Sequence, residues 1–510
     1  MIFLLCVLLL LVALYYYGTR NHDHWSRKHV AGDRPLPFAG NSLAQYAEGV
    51  SLAGRYESLH RRYPNERCVG FFKGNRPGLL LRDPELIKRV LIADFRHFHD
   101  KGLCAVTREP LLRNLFTADG DVWKLVRQNL TPAFSNAKLR AMFPLVQKVS
   151  GRLADVIGRR VAGSAELDAR ALMTKYVTDI VGMCGFGLDT NTLADESPDF
   201  AALGARIFKI KPRDAVIGVA KELAPELFMN LHFLSAEVTG KIVSLTRQVA
   251  AQRGHAPSGR HDFVDLLLEL RRRGALVGES IETCDPNGAP ARVEIGLDDE
   301  LMAAQVFIFF TAGFETSSSA ASFMLHELAY DRRAQDRCRR EVCDVLDKYD
   351  GELCYDAVRE MKYLEMTLKE TLRLHPSPAF LLRKCVRSYR FPGTDITIDK
   401  GTDLIISNLG LHRDEEHFPN ATEFRPERFH PDNVGTINKC TYLPFGDGPR
   451  ACIGERMGLM QTLAGVATVL RHCTVAPSAR SVREPRVDRN SVLIDNIVGG
   501  LPLMFTRIDM

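Results

Sequence analysis

The 510-residue chain is short of several things that would point to familiar functions. It has no C-x-x-C pair. Its twelve cysteines stand singly, and only Cys338 and Cys343 lie within five residues of each other. That spacing argues against the usual zinc motifs and against a disulfide framework, and reduced thiols fit a protein facing the cytosol. No G-x-G-x-x-G fingerprint occurs, so the chain carries no dinucleotide-binding unit of its own. Charge of one sign is also scarce. Basic residues number 67 and acidic residues 62, and the net +5 is too small and too mixed to argue for nucleic acid. There is no linker-like stretch beyond residue 41 and no repeat of about 20–50 residues, so one large domain is expected. Apolar residues, by contrast, make up 45% of the chain, enough for a large core.

The amino terminus, MIFLLCVLLLLVALYYYGTRNHDHWSRK, carries no charge over residues 2–17. Tyr15, Tyr16 and Tyr17 stand where a signal-peptide cleavage site would need small residues, and tyrosine belongs at a membrane interface. The expectation is an uncleaved anchor. The run spans about 25 Å as a helix and suits a thin membrane such as the endoplasmic reticulum. Arg20, Arg27 and Lys28 follow it, which places the body of the chain in the cytosol. RPLPFAGN, residues 34–41, then reads as a stiff connector ending in a turn.

Further on, CVGFFKGNRPGLLLRDPELIKRVL predicts a small hairpin and then a helix opened by Asp83 and Pro84. HDFVDLLLELRRRG, residues 261–274, is an amphipathic helix. Residues 274–296 read as a polar, mobile surface loop. Residues 298–330 read as one long buried helix with Asp298 and Asp299 at its start. Two residues are costly inside it. Gly313 weakens it by about 1 kcal/mol relative to alanine, and Glu315 sets a carboxyl in or beside an apolar core. Strand-like pieces return at 386–406 and near 495–507, so the fold expected is mostly α with minor β.

The most informative stretch is LPFGDGPRACIGERMG, residues 443–458. A cysteine on a glycine-rich turn at the mouth of a helix is placed to be an anion. Backbone amides and the positive helix end stabilise a thiolate, the form in which cysteine ligates a metal. Arg450 is a nearby cation suited to a carboxylate, and Phe445 suits one side of a flat cofactor.

Phe445, Gly448, Arg450, Cys452 and Gly454 match F-x-x-G-x-R-x-C-x-G, and the chain thereby resembles the cytochromes P-450, the haem-thiolate monooxygenases. AGFET (312–316), ETLR (370–373), FRPERF (424–429) and WKLVR (123–127) resemble further motifs of that family. The resemblance divides the chain into an anchor over 1–18, a polar, proline-containing connector over 19–41 and a haem-binding catalytic domain over 42–510. It implies haem b, iron protoporphyrin IX, with Cys452 as the axial thiolate. Arg450, Trp123, Arg127 and Arg383 would hold the propionates, with Lys101 a further candidate. Phe445, Ala312 and Gly454 would line the cofactor. Thr316 and Glu315 would serve dioxygen activation, Glu315 as the acid relaying protons. Glu370, Arg373 and Arg428 would form a buried structural network.

The resemblance also implies partners. Electrons would come from NADPH through a membrane-bound cytochrome P-450 reductase, with cytochrome b5 as a second candidate donor. Lys124, Lys138, Arg140, Lys439 and Arg456 are candidate docking cations. The substrate would be a lipophilic small molecule, a xenobiotic or an endogenous lipid or hormone, and no nucleic acid is involved. Phe307, Phe310, Phe314, Ala312, Phe380, Leu381 and residues 496–500 are the expected pocket wall. GLHRDEEHFPNATEFRPERF and FHDKG resemble insect microsomal members of the drug-metabolising group. The rival readings are a haem-thiolate isomerase or dehydratase that uses no dioxygen, and a non-catalytic haem-binding protein.

Overall fold

The computed structural model describes residues 2–103, 109–194, 212–223, 227–260, 262–491 and 493–508. The elements that position the site are seven helices and nine strands. The helices are α1 (Ile2–Thr19), α2 (Gly120–Leu130), α3 (Asn136–Arg160), α4 (Ala169–Val181), α5 (Asp299–Tyr330), α6 (Lys362–Leu374) and α7 (Glu455–His472). The strands are β1 (Cys68–Lys73), β2 (Arg76–Leu81), β3 (Ser164–Asp168), β4 (Leu276–Cys284), β5 (Pro290–Ile295), β6 (Phe380–Lys384), β7 (Asp403–Ser407), β8 (Cys473–Pro477) and β9 (Pro502–Arg507). Helix dominates and the sheets are small.

Alternation sets the first hairpin. β1 and β2 pair antiparallel with Lys73 opposite Arg76, across a turn in which Gly74 adopts φ 58°. β2 continues parallel to β7, and β7 pairs antiparallel with β6, giving the order β1-β2-β7-β6. A second sheet has the order β8-β9-β3, antiparallel throughout. The chain before the hairpin lies against it. Trp25 is buried where Gly70 has no side chain, and Asn41 exchanges two hydrogen bonds with the backbone of Phe72, each 2.8 Å long.

α5 is the axis of the molecule. Its 32 residues make a rod of about 48 Å. Asp298 caps it by accepting from the Leu301 amide at 2.7 Å, and Asp299 binds Arg247 and Arg271. The main hydrophobic core packs around it from α3, α4, α6 and α7. Gly313 packs tightly against the end of α4, because a Cβ there would lie 3.0 Å from Val181 Cγ2. The glycine that costs helix propensity thus makes room for α4.

Residues 274–296 depart from expectation. They are not a mobile loop but the β4–β5 hairpin, laid on α2. Asp285 closes its turn by accepting from the amides of Asn287 and Ala289. Gly278 allows the close contact, since a Cβ there would meet Leu125 at 2.6 Å. Asp121 of α2 accepts from Ser280 Oγ and from the Ile281 amide at 2.7 Å. α1, by contrast, projects its apolar side chains outward, with only Gly18 buried. Among the described residues it is the one helix long and apolar enough to cross a membrane.

Candidate active site

Two elements face each other across an internal cavity of about 540 Å³. On one side is the stretch from Pro444 to Gly454. Gly446 and Gly448 adopt φ 70° and 71°, conformations that favour glycine, and a side chain at Gly448 would collide with the Leu91 carbonyl. The Cys452 amide donates to the Phe445 carbonyl at 2.8 Å, closing the loop. α7 begins three residues later, and the Gly454 amide donates to the sulfur. Cys452 is exposed, but the surface it presents forms part of the cavity wall. Desolvation pushes its thiol up, while the Gly454 amide, Arg127 and Lys101 pull the other way.

On the other side is a stripe of α5. Ile308, Phe309, Ala312, Gly313, Thr316, Ser317 and Ala320 line the cavity at helical spacing. Thr316 Oγ1 donates to the Ala312 carbonyl at 2.6 Å. Ser317 accepts from Gln461 Nε2 of α7 at 2.5 Å, which braces the stripe to the helix behind Cys452. The remaining wall includes Phe380, Leu381, Leu382 and Leu493. The expected wall is corrected in part. Phe310 and Phe314 are buried and stack on each other at 5.7 Å, Phe310 also meets Phe186 edge-on at 5.6 Å, and Phe307 packs with Leu111 and Ile242. Leu493 lines the cavity in place of residues 496–500.

Glu315 is likewise not on this wall. It is buried on another face of α5, and Arg170 of α4 binds its carboxylate. Two residues of one tetrapeptide, Glu315 and Ala312, therefore serve different surfaces.

At one end of the cavity stand Lys101, Arg127, Arg383 and Arg450 with Trp123. The Arg450 guanidinium lies 4.1 Å from the Trp123 ring centroid, and its Nε donates to the His99 carbonyl at 2.8 Å. Among the described residues its two buried terminal nitrogens have no hydrogen-bond partner, the Asp119 carboxylate standing 3.7 Å from one of them, and Arg383 Nε has none either. Burial acts on all of them, and repulsion between cations adds to it at Arg450 and Lys101. Desolvation and Arg383 bring Arg450 down to about 9, desolvation brings Arg383 to about 10, and desolvation with Arg450 and Arg383 holds Lys101 well below its ordinary range. Orphaned buried guanidinium groups beside a cavity-facing cysteine fit a metal cofactor that carries carboxylates. Haem meets that description, and bound iron would hold Cys452 as the thiolate.

Behind the cysteine loop lies a second cluster. Glu370 and Arg373 of α6 are fully buried and doubly bonded, at 2.8 Å each. Arg428 Nε reaches the same carboxylate at 3.2 Å. Sequence reasoning missed His412, whose carbonyl accepts from Arg373 and whose Nε2 accepts from the Leu443 amide at 2.8 Å. It also missed Arg170, Ser317, Gln461 and His99. None of these has a spacing that marks it.

Comparison with known proteins agrees with this geometry. A family model described as Cytochrome P450 matches residues 30–497. Cytochrome P450 6B6 of Helicoverpa armigera is 34% identical over 95% of this chain and 94% of its own length. Cytochrome P450 6a2 of Drosophila melanogaster is 35% identical over 100% of this chain and 99% of its own, and Cytochrome P450 6B1 of Papilio polyxenes is 35% identical over 94% and 95%. With that likeness running through the cysteine turn and the central helix alike, the chain belongs to the cytochrome P450 family, the haem-thiolate monooxygenases.

Proposed function

We propose that this chain is a membrane-anchored monooxygenase that inserts one oxygen atom of dioxygen into a lipophilic small molecule. The observation that carries the reading is the placement of Cys452 and the Ala312–Thr316 stripe on one cavity whose remaining wall is largely apolar. Haem, when bound, supplies the activation of dioxygen, with the thiolate favouring O–O cleavage. The chain's own residues do the rest. Cys452 would ligate the iron. Arg450, Arg127, Arg383 and Lys101 would hold the propionates, with Trp123 backing Arg450. Phe445 would cover the cysteine side. The aliphatic and aromatic wall orients the substrate and excludes water.

Thr316 is the polar group assigned to the dioxygen side. Its hydroxyl donates to Ala312 at rest and can turn its proton toward a cavity ligand. Glu315 acts from behind the wall, where its bond to Arg170 ties α5 to α4. Electrons come from NADPH through a flavoprotein reductase in the same membrane, for which cytochrome b5 is a second candidate donor. Of the expected docking cations, Arg140 is held by Asp356 through two bonds of 2.6 and 2.7 Å and Lys124 stands 4.0 Å from Glu279, which leaves Lys138, Lys439 and Arg456 as the stronger candidates. In this reading α1 is the anchor in the endoplasmic reticulum membrane and the catalytic body lies in the cytosol, which its apolar length and the basic residues after it support. The substrates are plant toxins, insecticides or endogenous lipids.

The test is turnover of lipophilic compounds by full-length protein with NADPH and a reductase, alongside the carbon monoxide spectrum of the reduced form. Cys452→Ala is expected to lose the thiolate signature entirely. Thr316→Ala is expected to keep haem and substrate binding while product per NADPH falls by roughly tenfold or more and peroxide rises. Turnover without NADPH or dioxygen would favour the isomerase reading, and a normal spectrum in Cys452→Ala would overturn the ligand.

A further inference from the structure

A second cavity, of about 570 Å³, lies where α1 meets the catalytic domain. Its floor is Trp25, which is 3% exposed and donates its indole N–H to the Phe71 carbonyl at 3.1 Å. Its rim is polar and carries Arg20, Arg27 and Arg34 against Asp23 and Asp33. The carboxylates are already engaged. Asp33 binds Arg55 and Arg62, at 2.5 and 2.6 Å, and accepts from Tyr63. Asp23 pairs with Arg27. Among the described residues, no ion pair joins Arg20 or Arg34 to a carboxylate, and the Arg20 guanidinium lies 4.5 Å from the Tyr17 ring centroid. The cavity is therefore lined by two arginines that, among the described residues, no carboxylate neutralises.

Its position gives those charges a meaning. The cavity wall includes Tyr16 and Thr19 of α1, so it opens at the last turn of the apolar helix. The negative end of that helix does not oppose an anion strongly, because the Gly18 and Thr19 carbonyls accept from the amides of Phe38 and His22. Tyrosine marks the depth of lipid headgroups, and the cations come directly after it. A guanidinium fork suits a phosphate.

We infer that this cavity is a binding site for the phosphodiester headgroup of one anionic phospholipid, held between Arg20 and Arg34 above Trp25. The inference rests on the reading of α1 as a membrane anchor. The site would fix how the catalytic domain sits on the bilayer, because Trp25 of the connector is packed on Gly70 and Phe71 of the domain while the cavity's mouth belongs to the anchor.

The experiment uses the full chain in nanodiscs of phosphatidylcholine with phosphatidylserine, followed by native mass spectrometry of the released protein. Wild type is expected to retain one phosphatidylserine with a preference of roughly 10- to 30-fold over phosphatidylcholine, the scale set by two interfacial cations. The R20Q/R34Q variant is expected to lose that preference, whereas R332Q, at an exposed site on the catalytic domain, keeps it. Equal retention of both lipids by wild type, or an unchanged preference in R20Q/R34Q, overturns the site. Saturable binding of inorganic phosphate to the protein in pure phosphatidylcholine discs, lost in R20Q/R34Q, would assign the cavity to a soluble anion and overturn the lipid. Incorporation into pure phosphatidylcholine discs reads the anchor separately. Protein that fails to incorporate overturns the anchor and the lipid site with it, and protein that incorporates without lipid preference overturns the headgroup site alone.

Discussion

Two clusters of buried charge flank the cysteine loop, and they are built on opposite plans. In the network behind the loop every charge is answered. Glu370 receives Arg373, Arg428 and the Arg425 amide, and Arg373 gives its remaining protons to the carbonyls of His412, Ala421 and Glu423. At the end of the cavity Lys101, Arg383 and Arg450 are buried too, yet among the described residues Arg450 and Arg383 keep unbonded donors. The first cluster is complete as protein. The second has only Asp119, 3.7 Å from Arg450, against its three cations and is complete only with a further anion beside it. The same residue type thus serves as scaffold in one place and as receptor in the other, and the hydrogen-bond count separates the two roles.

The sharpest way to break the contrast is to remove one partner from each cluster. In the complete network, Glu370→Ala or Arg373→Ala leaves an uncompensated buried charge at a cost of about 3–5 kcal/mol. Little haem-loaded protein is expected from either variant. Expression and haem content equal to wild type would show that the network is dispensable.

In the cavity cluster the expected outcome splits by state. Arg383→Met removes a buried cation that lacks a full set of partners, so the haem-free protein should unfold at the same temperature as wild type or higher. The haem-loaded protein should lose about 1.5–3 kcal/mol of cofactor binding, the worth of a hydrogen bond to a charged group. Calorimetry on both forms, with haem-release rates, checks this. Equal destabilisation of both forms would place Arg383 with the scaffold residues.

How much of this was readable before folding differs residue by residue. Cys452 and its glycines were legible because a turn with positive φ and a helix start leave a local signature. Glu370 and Arg373 were legible through the likeness of ETLR to a family motif; three residues on a helix bring the side chains together, but that spacing by itself fits a solvated pair. The phase of α5 was not legible. An unbroken apolar run hides which stripe faces the cavity, so three phenylalanines were assigned to a wall that Ile308, Phe309, Ala312 and Thr316 supply. Residues 274–296 misled through their glycines and proline. The alternation in VGESIET and ARVEI around DPNG was the hairpin signal, and the apolar contact that fixes it comes from α2, more than a hundred residues away. His412 could not be found at all, because it works through one carbonyl and one ring nitrogen.

His412 ties the complete network to the cysteine loop, and it makes the smallest effect the most specific. Its ring accepts from the Leu443 amide at the start of the cysteine loop, while its carbonyl takes Arg373. Burial, with Arg373 adding repulsion, lowers its pKa from 6.5 to about 3. The folded value lies below the unfolded one, so the neutral ring gives its full stabilisation above about pH 6.5 and loses it as acid is added, down to about pH 3. Each pH unit inside that window costs about 1.4 kcal/mol. Burial also holds His60, His326 and His375 below their ordinary values, so the acid slope of the wild type sums several rings. His412→Gln removes one of them and retains an acceptor for the Leu443 amide. The variant should start about 1 kcal/mol less stable at neutral pH. Between about pH 6.5 and 4.5 it should then lose its thiolate-ligated haem absorbance more gradually than wild type, by about one proton in the slope. Glu327 and Asp414, both held at about 2, enter only as the pH falls into the ordinary carboxylate range, at the acid end of that interval and equally in both proteins. Parallel acid curves for the two proteins would mean that His412 does not titrate there, and that the link from the buried network to the cysteine loop runs through the Arg373–carbonyl bond alone.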